Sequence, residues 1–426
     1  MEKIAKIIKQ TLNIHSKHCF KIFAEIRKHN GKIRVIGGAV RDALLDIPSQ
    51  DIDLATDIIP DNVIKILSGK SIKTFKSGIE FGTVTAIIED EIFQITTLRK
   101  DKICYGRHAK VEFSKSFFKD ALRRDFTINA LSYCPIEHKI YDYFGGIEDL
   151  KNSIVRFIGD PYQRIKEDYL RILRFFRFSC KYSNHFHKIS LDACIELKIN
   201  LAILSQERIK MELDNLLSLE QCNKAIELMF NSKILEQIIP IYSLNTDLMN
   251  KIVQVAKQYN LEITKITRYS IIFLSLTNIS IDKILSLKFS KKDAKITFNL
   301  ISFIKDISSD LYTIDELLHQ LTLMRLENDI IYFNQYFILA ISIKEQFATK
   351  INKLYKFLIS IETIPKFPIN GYDLIELGSP RQNIGFYLKI LKKKWVENNF
   401  HLTKDRLIKI AYKLIRQKHH TDFIQK

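Results

Sequence analysis

The chain has 426 residues, with 66 Lys and Arg against 48 Asp and Glu and a formal net charge of +18. Its length predicts more than one domain, because single hydrophobic cores stop growing at about 250–300 residues. A hydrophobic content of 46% excludes wholesale disorder. The basic excess favours an anionic partner, nucleic acid before an anionic membrane, and a solvated lysine-rich helix face is the alternative.

The glycines divide the chain into two regions. Ten lie between Gly31 and Gly159, none lies in residues 160–370, and the last three follow residue 370. Tight turns with positive φ favour glycine, so the glycine-free stretch of 211 residues predicts helices joined by short loops. The first 150 or so residues are predicted to have a different, mixed architecture.

The cysteines and the apolar segments bear on location. The six cysteines show no CxxC spacing, which favours a reducing cytoplasm over a disulfide framework. His15, His18 and Cys19 lack a second ligand pair and are interpreted as a helix surface. Met1–Asn30 is rich in lysine and unlike a secretory signal. Apolar stretches such as Tyr269–Ile281 fall short of the ~18 residues that span a bilayer, which predicts a soluble protein without a membrane partner.

In chain order, the predicted elements begin with a helix over residues 2–30, which ends at Asn30-Gly31. The hydrophobic patterns then predict alternating strands and helices, with Glu89-Asp90-Glu91 as a hairpin turn. From Asp160 to the end the pattern is helical. The intervening elements are strands at Ile33–Ile36, Asp51–Ala55, Gly82–Ile88, Ile92–Thr97, Phe126–Cys134 and Ile140–Phe144, and helices at Ala39–Leu45 and Ile58–Leu67.

The first group of residues with chemical meaning is Gly37–Asp42, here called the phosphate corner. A strand runs into paired glycines and then a helix, so the backbone can approach a ligand and helix N–H groups can face a phosphate. Arg41 adds a charged fork in the first helical turn. An ordinary strand-to-helix turn is the alternative.

Asp51 and Asp53 form the second group. Carboxylates two residues apart on a strand project from the same face. Such a pair can hold two divalent cations about 3.5–4 Å apart, which activate a hydroxyl and neutralise a pyrophosphate leaving group. An exposed acidic strand face is the alternative, and the phosphate corner shortly upstream favours the metal site.

Two arginine-rich segments complete the set. Adjacent Arg123 and Arg124 can clamp a triphosphate bidentately, with a surface basic pair as the alternative. Further on, charged residues recur at every third position of one predicted helix and drift by 60° per step, so they can read one ligand in sequence rather than grip one atom. These are Asp168, Arg171, Arg174 and Arg177, and an Asp168–Arg171 salt bridge is the alternative.

Together these residues resemble the class II tRNA nucleotidyltransferases, the CCA-adding enzymes, of the poly(A) polymerase superfamily. The match is dense over residues 33–215, sparse over 219–345, and returns over 370–420. The matching strings are Gly37–Leu45, Asp51–Asp53, Gly82–Val84, Thr96–Arg99, Gly106–His108, Arg124–Asn129, Glu167–Arg177, Glu207-Arg208 with Glu212, and Asn370–Gly378.

The resemblance implies an α+β fold. Its head is a polymerase-beta-like nucleotidyltransferase domain with a mixed, partly antiparallel sheet, followed by an all-α neck, body and tail. The implied parts are the catalytic head at 1–147, the base-reading neck at 148–218, the body at 219–345 and a basic, tRNA-binding tail at 346–426.

The implied activity is template-independent addition of CCA to the 3′ end of tRNA from CTP and ATP. It proceeds by two-metal nucleotidyl transfer with pyrophosphate release, and Asp51 and Asp53 are the implied catalytic Mg²⁺ ligands. The implied nucleotide site comprises Gly38, Arg41 and Arg124 at the triphosphate, Asp168 and Arg171 as hydrogen-bonding groups that select C or A, and Arg174 and Arg177 at the rest of the pocket.

Two segments depart from the family pattern. Gln94 stands where the family usually has a glutamate, so a third carboxylate is absent and slower turnover is expected. Ile103-Cys104-Tyr105 replaces the polar approach to Gly106-Arg107, in the family's flexible loop that is tied to the switch from C to A addition. Its retained length favours full CCA activity.

Three alternatives stay open. A bacterial poly(A) polymerase shares the head and neck motifs, although the compact body and the Gly371–Gly378 segment favour the tRNA enzyme. A CC-adding or A-adding enzyme of the same family comes next. A non-catalytic RNA-binding protein is the third, and the presence of both Asp51 and Asp53 argues against it.

Overall fold

The computed structural model describes most of the chain and divides it into two compact units, Met1–Pro240 and Ile241–Lys426. None of the helices in the described ranges is long and apolar enough to cross a bilayer. The described residues are 17–48, 52–68, 70, 72–76, 78, 81–101, 111–309, 312–361, 366–398 and 400–424.

The first unit contains a seven-stranded mixed sheet and a separate strand pair. The strands are β1 Ile33–Ile36, β2 Ile52–Thr56, β3 Lys73–Phe75, β4 Thr83–Ile88, β5 Glu91–Thr97, β6 Arg99–Asp101, β7 Val111–Phe113, β8 Ser132–Cys134 and β9 Lys139–Tyr141. The large sheet has the order β3-β4-β5-β2-β1-β8-β9, and β6 pairs with β7. Only the β2–β5 pair is parallel among the strand pairs of the described residues. This is the mixed, partly antiparallel sheet that the sequence predicts for the head.

Ten helices of the described residues surround and follow this sheet. They are α1 Lys17–Lys28, α2 Gly38–Leu44, α3 Pro60–Leu67, α4 Phe117–Leu122, α5 Gly146–Lys151, α6 Pro161–Glu167, α7 Leu170–Tyr182, α8 Lys188–Glu196, α9 Gln206–Leu217 and α10 Asn223–Asn231. The predicted helices after Gly37 and near Pro60 are confirmed as α2 and α3. Of the helix predicted over residues 2–30, α1 is confirmed, and residues 2–16 lie outside the described residues.

Alternation along the strands builds the core beneath the site. In β4 every second residue is buried, as expected for a strand with one face on the core. Val35, Leu54, Val84 and Ile95 bring four neighbouring strands together with side chains at most 1% exposed. The sheet therefore forms a rigid floor from which polar residues of the same strands project.

The strand predicted at Phe126–Cys134 is wrong over its first half. Only Ser132–Cys134 is a strand, and Thr127–Asn129 form a 3₁₀ turn. The Thr127 hydroxyl donates to Asp149 at 2.5 Å, and the Asn129 amide donates to the Asp125 carboxylate at 2.9 Å. These tertiary hydrogen bonds favour a turn over extended backbone, although the local pattern is apolar.

The second unit is helical throughout its described part, as the glycine-free pattern predicts. In α16, eight consecutive residues, 335–342, are buried, because this helix packs against α11, α14, α15 and α17. Leu374, Leu391 and Leu407 join α18, α19 and α20 in a second core. The helices are α11 Thr246–Tyr259, α12 Lys265–Ile272, α13 Ile281–Ser286, α14 Lys291–Ser308, α15 Ile314–Glu327, α16 Ile330–Ile343, α17 Ala348–Ser360, α18 Gly371–Glu376, α19 Ile384–Glu397 and α20 Lys404–Ile424.

Candidate active site

A cavity of about 560 Å³ lies in the first unit, and most of the predicted site residues line it. Asp51 lies outside the described residues, as do residues 102–110, which include Cys104. Arg177 is described but is not among the lining residues. The lining residues are Ile36, Gly37, Gly38, Arg41, Asp53, Thr83, Gln94, Thr96, Arg99, Arg123, Arg124, Asp125, Asn129, Asp168, Arg171, Arg174 and Phe178.

The phosphate corner connects β1 to α2 at the cavity wall. Gly37 has φ +65° and ψ −124°, a conformation that favours glycine. A Cβ at this position would lie 2.8 Å from Nη1 of Arg124, so glycine also makes room for that guanidinium. The corner and Arg124 thus share one wall, as expected for a triphosphate site.

Arg41 is buried within the corner, and each of its three guanidinium nitrogens donates to a protein acceptor. Nε donates to Asp42 at 2.8 Å, and Nη2 donates to the Tyr182 hydroxyl at 2.6 Å. Nη1 donates to the side-chain oxygen of Asn129. Because a guanidinium carries five N–H groups, Arg41 is held rigidly and can still donate to a phosphate.

Arg123 and Arg124 are held by one buried carboxylate. Asp120, on α4, accepts from Arg123 at 2.7 Å and from Arg124 at 3.3 Å. Burial raises the pKa of Asp120, but the two guanidinium groups outweigh it and the pKa is lowered. The predicted bidentate clamp is therefore supported from behind by a permanent negative charge.

Asp53 and Gln94 lie side by side on the cavity floor. They are direct partners in the parallel β2–β5 ladder, and both side chains are exposed. Nearby, the hydroxyls of Thr83 on β4 and Thr96 on β5 form a hydrogen bond at 3.2 Å. The position that the family usually fills with a carboxylate is thus adjacent to the predicted metal ligand.

The helix predicted through Asp168 is wrong at that residue. α6 ends at Glu167, Asp168 has extended backbone with φ −157° and ψ 106°, and α7 starts at Leu170. Asp168 accepts from the Leu170 amide at 3.2 Å and from Arg208 at 2.7 Å. The contact with Arg208 on α9 holds the carboxylate at the break, where it lines the cavity.

Arg171 does not use Asp168 as its carboxylate partner. Its Nη1 donates to Glu167 at 2.6 Å and to the backbone oxygen of Arg164 at 2.7 Å. Its Nη2 donates to the backbone oxygen of Arg123 at 3.1 Å. The salt bridge considered as the structural alternative is therefore replaced by separate partners, and both side chains line the cavity.

A buried ionic network underlies Arg174. Asp125 accepts from Arg174 at 2.6 and 2.8 Å, and Glu212 accepts from Arg174 at 3.3 Å and from Arg177 at 2.7 Å. Burial raises the pKa of Asp125, but Arg174, Asn129 and a backbone N–H lower it to about 2. Arg177 thus acts behind Arg174, through Glu212, rather than at the cavity surface.

Several lining or supporting residues were not singled out from the sequence as site residues. Asp120 lies four residues before Arg124, a helical spacing that could have indicated the pair. Thr83, Thr96 and Arg99 belong to strings that match the family but carry no chemistry when read alone. Tyr182 had no local signal, since its partners are about 140 residues away.

Comparison with known proteins decides the family. The profile of the poly A polymerase head domain matches residues 33–156, and that of the probable RNA and SrmB-binding site of polymerase A matches residues 185–244. A CCA tRNA nucleotidyltransferase 1, mitochondrial, from Mus musculus is 32% identical over 399 residues, covering 89% of this chain and 86% of the relative. The chain belongs to the CCA tRNA nucleotidyltransferase family. The human counterpart is 33% identical over 395 residues, with the same shares covered.

Solved structures support the same fold for this nucleotidyltransferase. The CCA-adding enzyme of Bacillus stearothermophilus in complex with CTP aligns with a TM-score of 0.69 and 22% identity, over 97% of this chain and 99% of that one. The Thermotoga maritima CCA-adding enzyme complexed with tRNA aligns with a TM-score of 0.65 and 18% identity, over 96% and 98%. The predicted α+β fold with a polymerase-type head and helical remainder is confirmed.

Proposed function

We propose that this nucleotidyltransferase adds CCA to the 3′ end of tRNA, using CTP and ATP without a nucleic-acid template and releasing pyrophosphate. The observation that carries the proposal is the similarity to CCA tRNA nucleotidyltransferases along 89% of the chain. The cavity supports it, because arginines cluster at the phosphate corner while Asp168 and Arg171 line another part of the same space.

The proposed metal ligands are Asp51 and Asp53. Asp53 lines the cavity, and its carboxylate oxygens are the type of ligand that Mg²⁺ prefers. Asp51 is two residues earlier in the chain, the spacing at which residues of a strand project from one face. Two Mg²⁺ ions held by these carboxylates would supply activation of the primer hydroxyl and charge stabilisation of the leaving pyrophosphate.

The proposed triphosphate ligands are Gly38, Arg41 and Arg124. Arg124 is oriented by Asp120 and by the backbone oxygen of Asn129, and Arg41 is oriented by Asn129 and Asp42. Preformed guanidinium forks bind phosphate oxygens bidentately and lose little side-chain entropy on binding. The site therefore holds the triphosphate in place for attack by the primer.

Base selection is proposed for Asp168 and Arg171. Arg174 completes the pocket at the cavity, and Arg177 completes it from behind, through the Glu212 carboxylate that it shares with Arg174. A carboxylate accepts from the exocyclic amine that C and A both carry, whereas U and G do not offer an amine in the same place. A wrong base leaves buried polar groups unpaired, which rejects it strongly. Arg208 fixes the carboxylate of Asp168 so that its acceptor direction is constant.

The tRNA is proposed to bind along the helical parts, with the division 1–147, 148–218, 219–345 and 346–426 as head, neck, body and tail. Residues 346–426 carry 16 basic and 6 acidic residues. Such a surface binds phosphates without reading sequence.

For location, we propose a reducing compartment. None of the five cysteines within the described ranges forms a disulfide. Two relatives are mitochondrial by name, so the cytoplasmic prediction extends to mitochondria. Fractionation of cells that express the tagged chain would distinguish the two locations.

The substitution Asp53→Asn tests the catalytic assignment. We expect it to lower the rate of CMP incorporation into tRNA at least 100-fold, on the order expected when a metal ligand is lost. Asp61→Asn is the matched control, since Asp61 is an exposed aspartate on α3 that does not line the cavity. An Asp53→Asn variant as active as the control would contradict the assignment.

A further inference from the structure

Tyr182 occupies a place in the site that neither its sequence position nor the family assignment explains. It is the last residue of α7, and only 8% of its surface is exposed. Its hydroxyl accepts from Nη2 of Arg41 at 2.6 Å and donates to Asp42 at 2.8 Å. Asp42 also accepts from Nε of Arg41 at 2.8 Å, so the three side chains close a ring of hydrogen bonds.

The ring of Tyr182 adds a second restraint. The Arg41 guanidinium lies 4.1 Å from its centroid, a cation–π distance. The ring also stacks on that of Phe178, with 5.8 Å between the ring centroids and 25° between the ring planes. Phe178 lines the cavity, whereas Tyr182 is not among the lining residues. Tyr182 therefore contacts the proposed phosphate ligand from behind and does not reach the nucleotide.

The Tyr182 hydroxyl can bridge Asp42 and Arg41 because it stays protonated. Burial raises the pKa of Tyr182 well above its ordinary value. A neutral hydroxyl both donates and accepts, so it links the anionic Asp42 to the cationic Arg41 and leaves their charges unchanged. The contact also joins α7 to α2, two helices that each contribute residues to the cavity wall.

We propose that Tyr182 is a positioning residue for triphosphate binding, whose hydroxyl, held by Asp42, fixes the guanidinium of Arg41 in the cavity before the nucleotide arrives. This inference rests on the proposed function, in which Arg41 binds the triphosphate. Preorganisation predicts an effect on affinity for ligands that carry the triphosphate. It predicts no effect on base choice, because Asp168 is held separately by Arg208.

The substitution Tyr182→Phe removes the hydroxyl and keeps the ring. We expect the Kd for CTP, measured by calorimetry on the full chain, to rise about tenfold, the effect of losing one hydrogen bond to a charged group. The Kd for CMP should stay within about twofold, since CMP lacks the β- and γ-phosphates that Arg41 is proposed to bind. In extension assays the KM for CTP and ATP should rise while kcat and the preference for C and A stay unchanged.

A double substitution tests whether Tyr182 acts through Arg41. In an Arg41→Lys background, Tyr182→Phe should change the Kd for CTP by less than about twofold, because the group that it positions is gone. The matched control is Tyr141→Phe, which removes a tyrosine hydroxyl that donates to the Glu137 carboxylate, and neither of these residues lines the cavity. This control should bind CTP as the wild type does.

Three results would overturn the inference: an unchanged Kd for CTP, equal losses for CTP and CMP, or a full tenfold effect in the Arg41→Lys background. These measurements need no tRNA. If the wild-type chain binds CTP but extends no tRNA, the proposed function fails while the inference on Tyr182 still stands or falls on its own data.

Discussion

At the scale of single residues, several charged side chains that line the cavity are held in place by a partner of opposite charge. Asp168 is held by Arg208, and Arg124 by Asp120, each at 3.3 Å or less. Fixed donors and acceptors give selectivity because a mismatched ligand cannot reorganise them.

Replacing Asp168 should relax nucleotide choice more than it slows chemistry. In Asp168→Ala, incorporation of U or G relative to C and A should rise at least about tenfold, because no carboxylate then demands an exocyclic amine. Extension assays with each of the four nucleoside triphosphates measure this. Asp192→Ala, an exposed aspartate of α8, is the control. An unchanged C and A preference would sink the assignment.

Adding a carboxylate next to Asp53 should raise the rate. In Gln94→Glu the new charge lies beside Asp53 in the β2–β5 ladder and helps to order the primer hydroxyl, so single-turnover addition should be about three- to tenfold faster. Gln94→Met, uncharged and of similar size, should be no faster than the wild type. If Gln94→Glu is no faster than the wild type, the missing third carboxylate is not what limits the rate of nucleotide addition.

At the scale of elements, the sequence predicts the helices and strands whose formation depends on residues close together in the chain. The β4–β5 hairpin and α3 after Pro60 follow from turn and helix signals within a few residues. The break at Asp168 and the turn at Thr127–Asn129 could not be predicted, because each is stabilised by a side chain distant in sequence, Arg208 and Asp149 respectively.

The same limit applied to the site. The residues with chemical signals were identified from their types and spacing, and most of them line one cavity. Their partners could not be identified from the sequence. Asp53 lies beside Gln94 because of the strand order, and Glu212 contacts Arg174 and Arg177 because of the way the helices pack. The chemistry was therefore readable from sequence, while the support of each group required the fold.

The network around Asp125 predicts an acid-sensitive contact between elements. The pKa of Asp125 falls from its ordinary 3.8 to about 2, so the contact with Arg174 stabilises the fold fully above about pH 4 and is lost as pH falls from 4 to 2. The shift corresponds to roughly 2 kcal/mol of the free energy of unfolding. Urea unfolding of the wild type at a series of pH values should show the free energy of unfolding decreasing as the pH falls from 4 to 2.

In Asp125→Asn the decline between pH 4 and pH 2 should be shallower. It should not vanish, because the lowered pKa of Asp120 contributes in the same direction. Asp61→Asn, at an exposed site, should keep the wild-type slope. Parallel slopes for Asp125→Asn and the wild type would contradict the role given to this contact.

At the scale of the whole molecule, we expect the excess of positive charge to attract the phosphates of tRNA. The net charge of +18 is concentrated toward the end of the sequence, where residues 346–426 alone carry +10. Contacts of lysine with phosphate release counterions, so binding of tRNA should weaken steeply with salt. CTP binding depends on the first unit and should respond much less to changes in this region.

Reversing two tail charges tests this division. Lys389→Glu with Lys393→Glu, both exposed on α19, should raise the KM for tRNA about tenfold or more and reduce the slope of log affinity against log salt by about 2. The KM for CTP should not change. The control is Lys291→Glu with Lys295→Glu, an equally spaced exposed pair on α14. Equal effects of both pairs would mean that net charge alone, and not the tail, attracts the tRNA.

The central claim is that this chain completes the CCA end of tRNA. The most direct measurement incubates the wild-type protein with tRNAs that end at the discriminator base, at C and at CC, together with CTP and ATP, and reads product lengths. We predict additions of three, two and one nucleotides, after which extension stops. Long adenylate tails, or arrest after CC, would contradict the claim and indicate a poly(A) polymerase or a CC-adding enzyme instead.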